Sequence, residues 1–198
     1  MTEFDVDYTE YQSNRSGLRK LVRRAYLRSA RSQLRGATLD FGCGIGELLT
    51  QLPAGSMGLE YNRATVEYCH GRGLGVCWYD GIADDWQLSA VPQGRRFESM
   101  IISHVLEHLD EPASILRRLL MASRRLGVGR VLVIVPGRAG FRIDATHRTF
   151  VDLAMLADAD IVDGTGFALK QKRYFPGNLR GIGDWFPHHE LQALYVVD

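Results

Sequence analysis

Apolar positions along this chain follow two rhythms. Short runs rich in β-branched and aromatic residues, "ATLDF", "SMGLE", "GVCWY", "SMIIS" and "RVLVIV", recur between residues 37 and 135. The middle ones are bounded by Gly, Pro or Asn turn signals, which predicts five strands. Helical stretches lie between them: one from about Glu47, one over "RATVEYCHGRG" and one over "EPASILRRLLMASRRLG". Pro112 falls in the first turn of the last, where its missing N–H is harmless, and Gly127 stops it. Upstream, residues 17–35 place Leu18, Leu21, Val22, Ala25 and Leu34 at helical spacing with arginines opposite, predicting a basic amphipathic helix. Downstream, "GFALKQKRY" and "ELQALYVV" read as two further strands forming a closing hairpin at one sheet edge. Alternating β and α elements demand right-handed crossovers. The expected architecture is therefore a single α/β domain, Rossmann-like and doubly wound. It has a mostly parallel seven-stranded sheet, an N-terminal helical cap (1–35), a core (36–136) and a lid with closing strands (137–198).

Composition narrows the function classes. A chain of 198 residues suits one ordinary domain, and a formal net charge of +1 provides no field that would favour nucleic acid. Three cysteines, Cys43, Cys69 and Cys77, form no Cys-x-x-Cys pair, so neither a disulfide framework nor a zinc site is expected. The opening "MTEFDVDYTEY" has no signal-peptide pattern and no apolar run reaches membrane-spanning length. A cytoplasmic protein without stable membrane insertion is the expectation.

The densest chemical signal is "LDFGCGIGELL", residues 39–49. Gly42, Gly44 and Gly46 permit a turn with positive φ directly after a strand, with amide groups available for an anion. A dinucleotide fingerprint from Gly44 would need a third glycine where Leu49 stands, and no Gly-Lys-Ser/Thr follows for a P-loop. The pattern Asp-x-Gly-x-Gly-x-Gly instead resembles the first motif of class I S-adenosylmethionine-dependent methyltransferases. That resemblance implies that Gly42, Cys43 and Gly44 lie against the methionine part of the cofactor and that Asp40 orients its ammonium group. It implies that Glu60, in "MGLEYN", accepts both ribose hydroxyls, with Tyr61 against the adenine. Asp80 and Gly81, in "WYDG", would meet the adenine amino group, and Ser103 would stand beside the sulfonium. "RRFESMIISHVLEHLDEP" is similar to the fourth strand and following turn of the family's small-molecule members.

Methyl transfer from a sulfonium mainly requires alignment, and a base matters only for some nucleophiles. His104 and His147 are the candidate bases; for His147 a hydrogen bond ordering the loop with Asp144 is the equal alternative. His104, Glu107 and His108 fall at i, i+3 and i+4, a metal-ligand spacing on a helix, but the resemblance implies no metal and none is assigned. His188 and His189 are expected at the surface, and Trp78, Trp86 and Trp185 in the core or pocket wall. The basic residues from Arg15 to Arg35 either draw in a phosphorylated or lipid-linked substrate or form an ordinary solvated face. No Asn-Pro-Pro-Tyr or Asp-Pro-Pro-Tyr follows the fourth strand, so the expected acceptor is an O, N or C atom of a small metabolite, not nucleic acid. A homodimer could complete the pocket. The spacing of "GELL", "GLEYN" and "RGLGV" also resembles MetW, a methionine-biosynthesis family with a methyltransferase-like fold that works alongside an acyltransferase. "SHVLEHLDEP" departs from that family's glutamine-containing turn.

Overall fold

The computed structural model describes residues 17–198, with side chains from residue 24 onward. Leu18, Leu21 and Val22 of the expected apolar helix face therefore lie outside the described side chains, as does the chain before Gly17. Seven strands form one sheet: β1 (Thr38–Phe41), β2 (Met57–Glu60), β3 (Val76–Trp78), β4 (Ser99–Ser103), β5 (Arg130–Pro136), β6 (Phe167–Phe175) and β7 (Glu190–Val197). Their order is β3-β2-β1-β4-β5-β7-β6. The first five are mutually parallel, and β7 runs antiparallel to both neighbours.

The helices are α1 (Gly17–Arg31), α2 (Arg63–Gly71), α3 (Pro112–Arg125), α4 (Arg138–Ile143), α5 (Leu153–Leu156) and α6 (Ala159–Val162). Central strands buried on both faces read as continuous apolar runs, which is why "RVLVIV" is so legible. On one side of the sheet Leu39, Met100, Val131, Val133 and Tyr195 pack with Leu116, Leu119 and Leu120 of α3. On the other, Ile101, Leu132, Ile134 and Leu194 pack with Tyr26, Leu27 and Ala30 of α1.

Four expectations need correction. No α-helix starts near Glu47; the chain makes only a 3₁₀ turn, Leu49–Gln51. Pro53 disfavours the α conformation in Leu52 and leaves too few residues after Gly46 to build one. In α1 the buried face is Tyr26, Leu27 and Ala30, continued just past its end by Gln33, while Ala25 is exposed. His189 is not at the surface: it is 2% exposed, stacks on Tyr174 and bonds the Leu179 carbonyl through Nε2 at 2.9 Å. It sits one residue before β7, under the 3₁₀ turn Arg180–Asp184. The tryptophans divide: Trp86 packs against the core, Trp78 is partly exposed under the guanidinium of Arg63, and Trp185 is 73% exposed. Among the described residues no helix is long and apolar enough to cross a membrane.

Candidate functional site

The strand order reverses between β1 and β4, and a ligand crevice opens beyond the carboxyl ends of the strands at such a point. There the glycine turn takes φ of +70° at Gly42, +52° at Gly44 and +73° at Gly46, backbone that only glycine adopts freely. Its amides are not spare. Gly42 and Cys43 donate to the Leu59 carbonyl at 2.9 and 3.1 Å, and Gly44 donates to Glu60 Oε2 at 2.9 Å. The expected anion cradle is therefore absent from these three positions, because the turn is sutured to β2 by the same groups.

Glu60 is fixed from both sides. Its Oε1 accepts from the Asn62 N–H at 2.9 Å. Asn62 in turn caps α2, accepting from the Thr65 N–H at 3.1 Å, so one residue separates Glu60 from a capped helix. Burial raises the Glu60 carboxyl above its ordinary range, and the amides of Asn62, Gly44 and Tyr61 partly offset this. Asp40, 3% exposed, lies one residue before the end of β1. Asp80 follows β3, where its Oδ1 accepts from the amides of Ile82 and Ala83 at 3.0 and 3.1 Å. Gly81 lies under Trp86, whose Cζ3 would stand 2.2 Å from an added Cβ. Tyr61 and Ile82, 67% and 79% exposed, present apolar surface beside these acids.

Ser103 ends β4 and its hydroxyl bonds that of Tyr26. His104 follows with φ of +55°, a strained conformation for a non-glycine residue. Its Nδ1 lies 3.2 Å from Glu107 Oε1 and its Nε2 3.1 Å from Glu190 Oε1. Two carboxylates facing both ring nitrogens require both to carry hydrogen. Burial opposes the charged ring, yet the bonds and charges of Glu107 and Glu190 outweigh it and push the pKa up to about 10. Both ring nitrogens of His104 are thus engaged by carboxylates, an arrangement that leaves no lone pair directed at an acceptor for the base role expected of it. His147, between α4 and α5, bonds the Phe141 carbonyl through Nδ1 at 2.8 Å and stacks on that ring. Its Nε2 is 3.8 Å from Asp144 Oδ2, beyond hydrogen-bond length, but its backbone N–H donates to the Asp144 carbonyl at 3.2 Å, the loop-ordering bond expected between the two residues, while the Asp144 carboxylate bonds Thr146. The side chain of His147 is 7% exposed.

One cavity of about 1220 Å³ is lined by Asp40, Gly42, Cys43, Gly44, Glu60, Tyr61, Asp80, Gly81, Ser103, His104 and His147, so every residue expected in the site is brought together. An ordinary small-molecule site occupies roughly 300–1,000 Å³. There is room here for a nucleoside-sized ligand and a second reactant. Tyr26, Ile82 and Glu190 also line the cavity and escaped sequence reasoning. Only Ile82 carried a local signal, an apolar residue directly after the Asp-Gly turn.

The family model of the methionine biosynthesis protein MetW matches residues 29–137, just over half of the chain. Among curated proteins none matches. Solved structures share the fold. A SAM-dependent methyltransferase from Archaeoglobus fulgidus is 20% identical, with 98% of this chain and 100% of that one covered and a TM-score of 0.68. A SAM-dependent methyltransferase from Thermotoga maritima is 17% identical over 98% of each chain, TM-score 0.63. Magnesium protoporphyrin IX methyltransferase from Synechocystis, solved with bound SAH, is 16% identical, covering 98% of this chain and 86% of that one, TM-score 0.57.

Proposed function

The chain belongs to the MetW family, and from its fold and the site above we propose that it binds S-adenosylmethionine and transfers its methyl group to an O, N or C atom of a small metabolite. The observation that carries this reading is the placement of Asp40, Glu60 and Asp80 at the carboxyl ends of three adjacent parallel strands around one cavity. Three carboxyl groups make a field suited to a ligand bearing ammonium and sulfonium charges. With the amides of Gly42, Cys43 and Gly44 already bonded within the protein, the same turn is poorly equipped for a pyrophosphate.

The residues fit such a cofactor. Glu60 holds two oxygens in fixed orientation for a vicinal diol, Oε2 by the Gly44 amide and Oε1 by the Asn62 amide. Tyr61 and Ile82 offer faces for an adenine ring. The bound cofactor would supply an activated methyl group; the chain's own part is to orient the acceptor and exclude water, an alignment effect of at most about 7–11 kcal/mol. His104 contributes positive charge and shape at the cavity wall, not proton abstraction.

Calorimetry of S-adenosylmethionine and S-adenosylhomocysteine against wild type and Glu60→Ala tests the reading. Loss of charge-assisted bonds should weaken both ligands by about 1.5–3 kcal/mol. Equal affinity in the variant, or no binding by wild type, would overturn it.

A second reading is favoured by the family match and by the locked state of His104: a noncatalytic partner of an acyltransferase on the same scaffold. Copurification with a homoserine acyltransferase, without methyl transfer to any metabolite tried, would select it.

A further inference from the structure

We propose that Glu107, His108 and His147 form a binding site for a divalent first-row transition-metal ion in the wall of the cavity. One ligand atom from each of these residues lies within 4.8 Å of the others. The two histidines come from segments almost forty residues apart, His108 closing the 3₁₀ turn Leu106–His108 and His147 in the loop after α4.

Hydrogen bonding fixes the tautomers. Nδ1 of His147 lies 2.8 Å from the Phe141 carbonyl, and Nδ1 of His108 lies 3.3 Å from the Thr146 carbonyl and 3.1 Å from the Thr146 hydroxyl, whose own hydrogen goes to Asp144 Oδ1 at 2.6 Å. A carbonyl only accepts, so each Nδ1 carries the hydrogen and each Nε2 is left with a lone pair. Metal-ligating histidines are oriented in this way, by donation of the second ring nitrogen to a backbone carbonyl.

The lone pair on His147 Nε2 then faces acceptors. Glu107 Oε1 is 3.9 Å away and Asp144 Oδ2 3.8 Å, too far for hydrogen bonds and of the wrong polarity unless a cation lies between. Glu107 is wholly buried, and its Oε2 has no hydrogen-bond partner. A buried carboxylate oxygen left unsatisfied is costly, and metal coordination is one of the few ways to satisfy it. Meanwhile Oε1 is held by His104, which orients the carboxylate.

The donor set names the class of ion. Two imidazoles and one carboxylate suit zinc, manganese, iron or cobalt, whereas calcium and magnesium prefer oxygen alone. Bonds of about 2.0–2.2 Å set ligand atoms about 3–4 Å apart, so the cluster must contract by roughly an ångström on loading. The His108 ring is partly exposed and can swing to do so. His108 and His147 both line the cavity, so an open coordination position would face the acceptor side and could take an oxygen or nitrogen of that molecule.

The test uses the full chain stripped with chelator. Zinc and manganese titrations by calorimetry, and the visible absorption of added cobalt(II), should report one ion per chain. His147→Ala and His108→Ala should each weaken binding at least tenfold, with an unchanged circular dichroism spectrum, while His188→Ala binds as wild type. No binding by wild type at millimolar metal, or binding that survives both histidine variants, would overturn the proposal. Parallel titration with S-adenosylhomocysteine separates this outcome from failure of the cofactor reading, since neither result determines the other.

Discussion

Single residues in the glycine turn act through contacts that a motif does not display. Gly58, in the middle of β2, lies under the turn: an added Cβ would stand 2.4 Å from Cys43 Sγ and 2.9 Å from Leu49 Cδ1. Gly58→Ala should push the turn outward, costing about 1–3 kcal/mol of stability by chemical denaturation and weakening S-adenosylhomocysteine binding. Cys43→Ala on that background should restore part of both, and strict additivity in the double-mutant cycle would show that the two side chains do not collide. The buried Glu60 makes a pH prediction. Its raised carboxyl keeps a proton to higher pH in the folded state than in the unfolded chain. The contribution to stability is therefore fully present below the unfolded carboxyl range and is lost as pH rises through the folded value. Ligand affinity should move oppositely, because the ionised form accepts hydroxyl groups better. Calorimetry of S-adenosylhomocysteine from pH 4 to pH 8 should show affinity climbing to a plateau at the neutral end, a dependence that Glu60→Gln abolishes.

At the scale of elements, what could be read in advance depended on whether the signal was local. Strands "SMIIS" and "ELQALYVV" end where the pattern puts them, and α3 spans Pro112–Arg125, because burial on both sheet faces and helix periodicity are written in consecutive residues. The acids at Asp40, Glu60 and Asp80 were legible through the resemblance to class I methyltransferases, whose motifs carry an acid at each of these three strand ends. Spacing failed where tertiary contact decides. His104, Glu107 and His108 suggest one helix face, but the chain makes a 3₁₀ turn there: His104 meets Glu107 as spaced, and its other ring nitrogen reaches Glu190 in β7. His108 meets His147, a pairing no short window contains. In α1 the apolar stripe includes Ala25 by spacing, yet Ala30 packs at 0% exposure against Ile101, Leu132 and Ile134. The two alanines thus make a paired test. Ala30→Leu should overpack this layer by about 1–3 kcal/mol, lowering the melting temperature by roughly 2–12 °C, whereas Ala25→Leu should leave it within about 1–2 °C. Equal shifts would mean that α1 is rotated from the position described.

The molecule as a whole is closed by its last strand. β7 inserts between β5 and β6 and pairs with β5 from Arg130–Val196 to Pro136–Glu190. Its alternating side chains enter both layers: Leu191, Ala193 and Tyr195 join α3, while Leu194 joins α1. Tyr195 is fully buried and its hydroxyl donates to the Leu156 carbonyl at 2.6 Å, tying the segment after β5 to the sheet. The sheet edges that remain are a three-residue β3 and a β6 bearing Lys170, Lys172 and Arg173, both poor templates for pairing with another chain. Because one strand serves both layers, neither can unravel alone, and unfolding should be a single transition. Tyr195→Phe tests this connection. It leaves the Leu156 carbonyl buried without its donor, at a cost of about 1–3 kcal/mol. Far-ultraviolet circular dichroism reports the sheet, and fluorescence of Trp86 reports the cofactor side, in a background with Trp78 and Trp185 changed to Phe. Both should shift to lower denaturant together. Separation of the two curves would mean that the cofactor half holds its structure without β7.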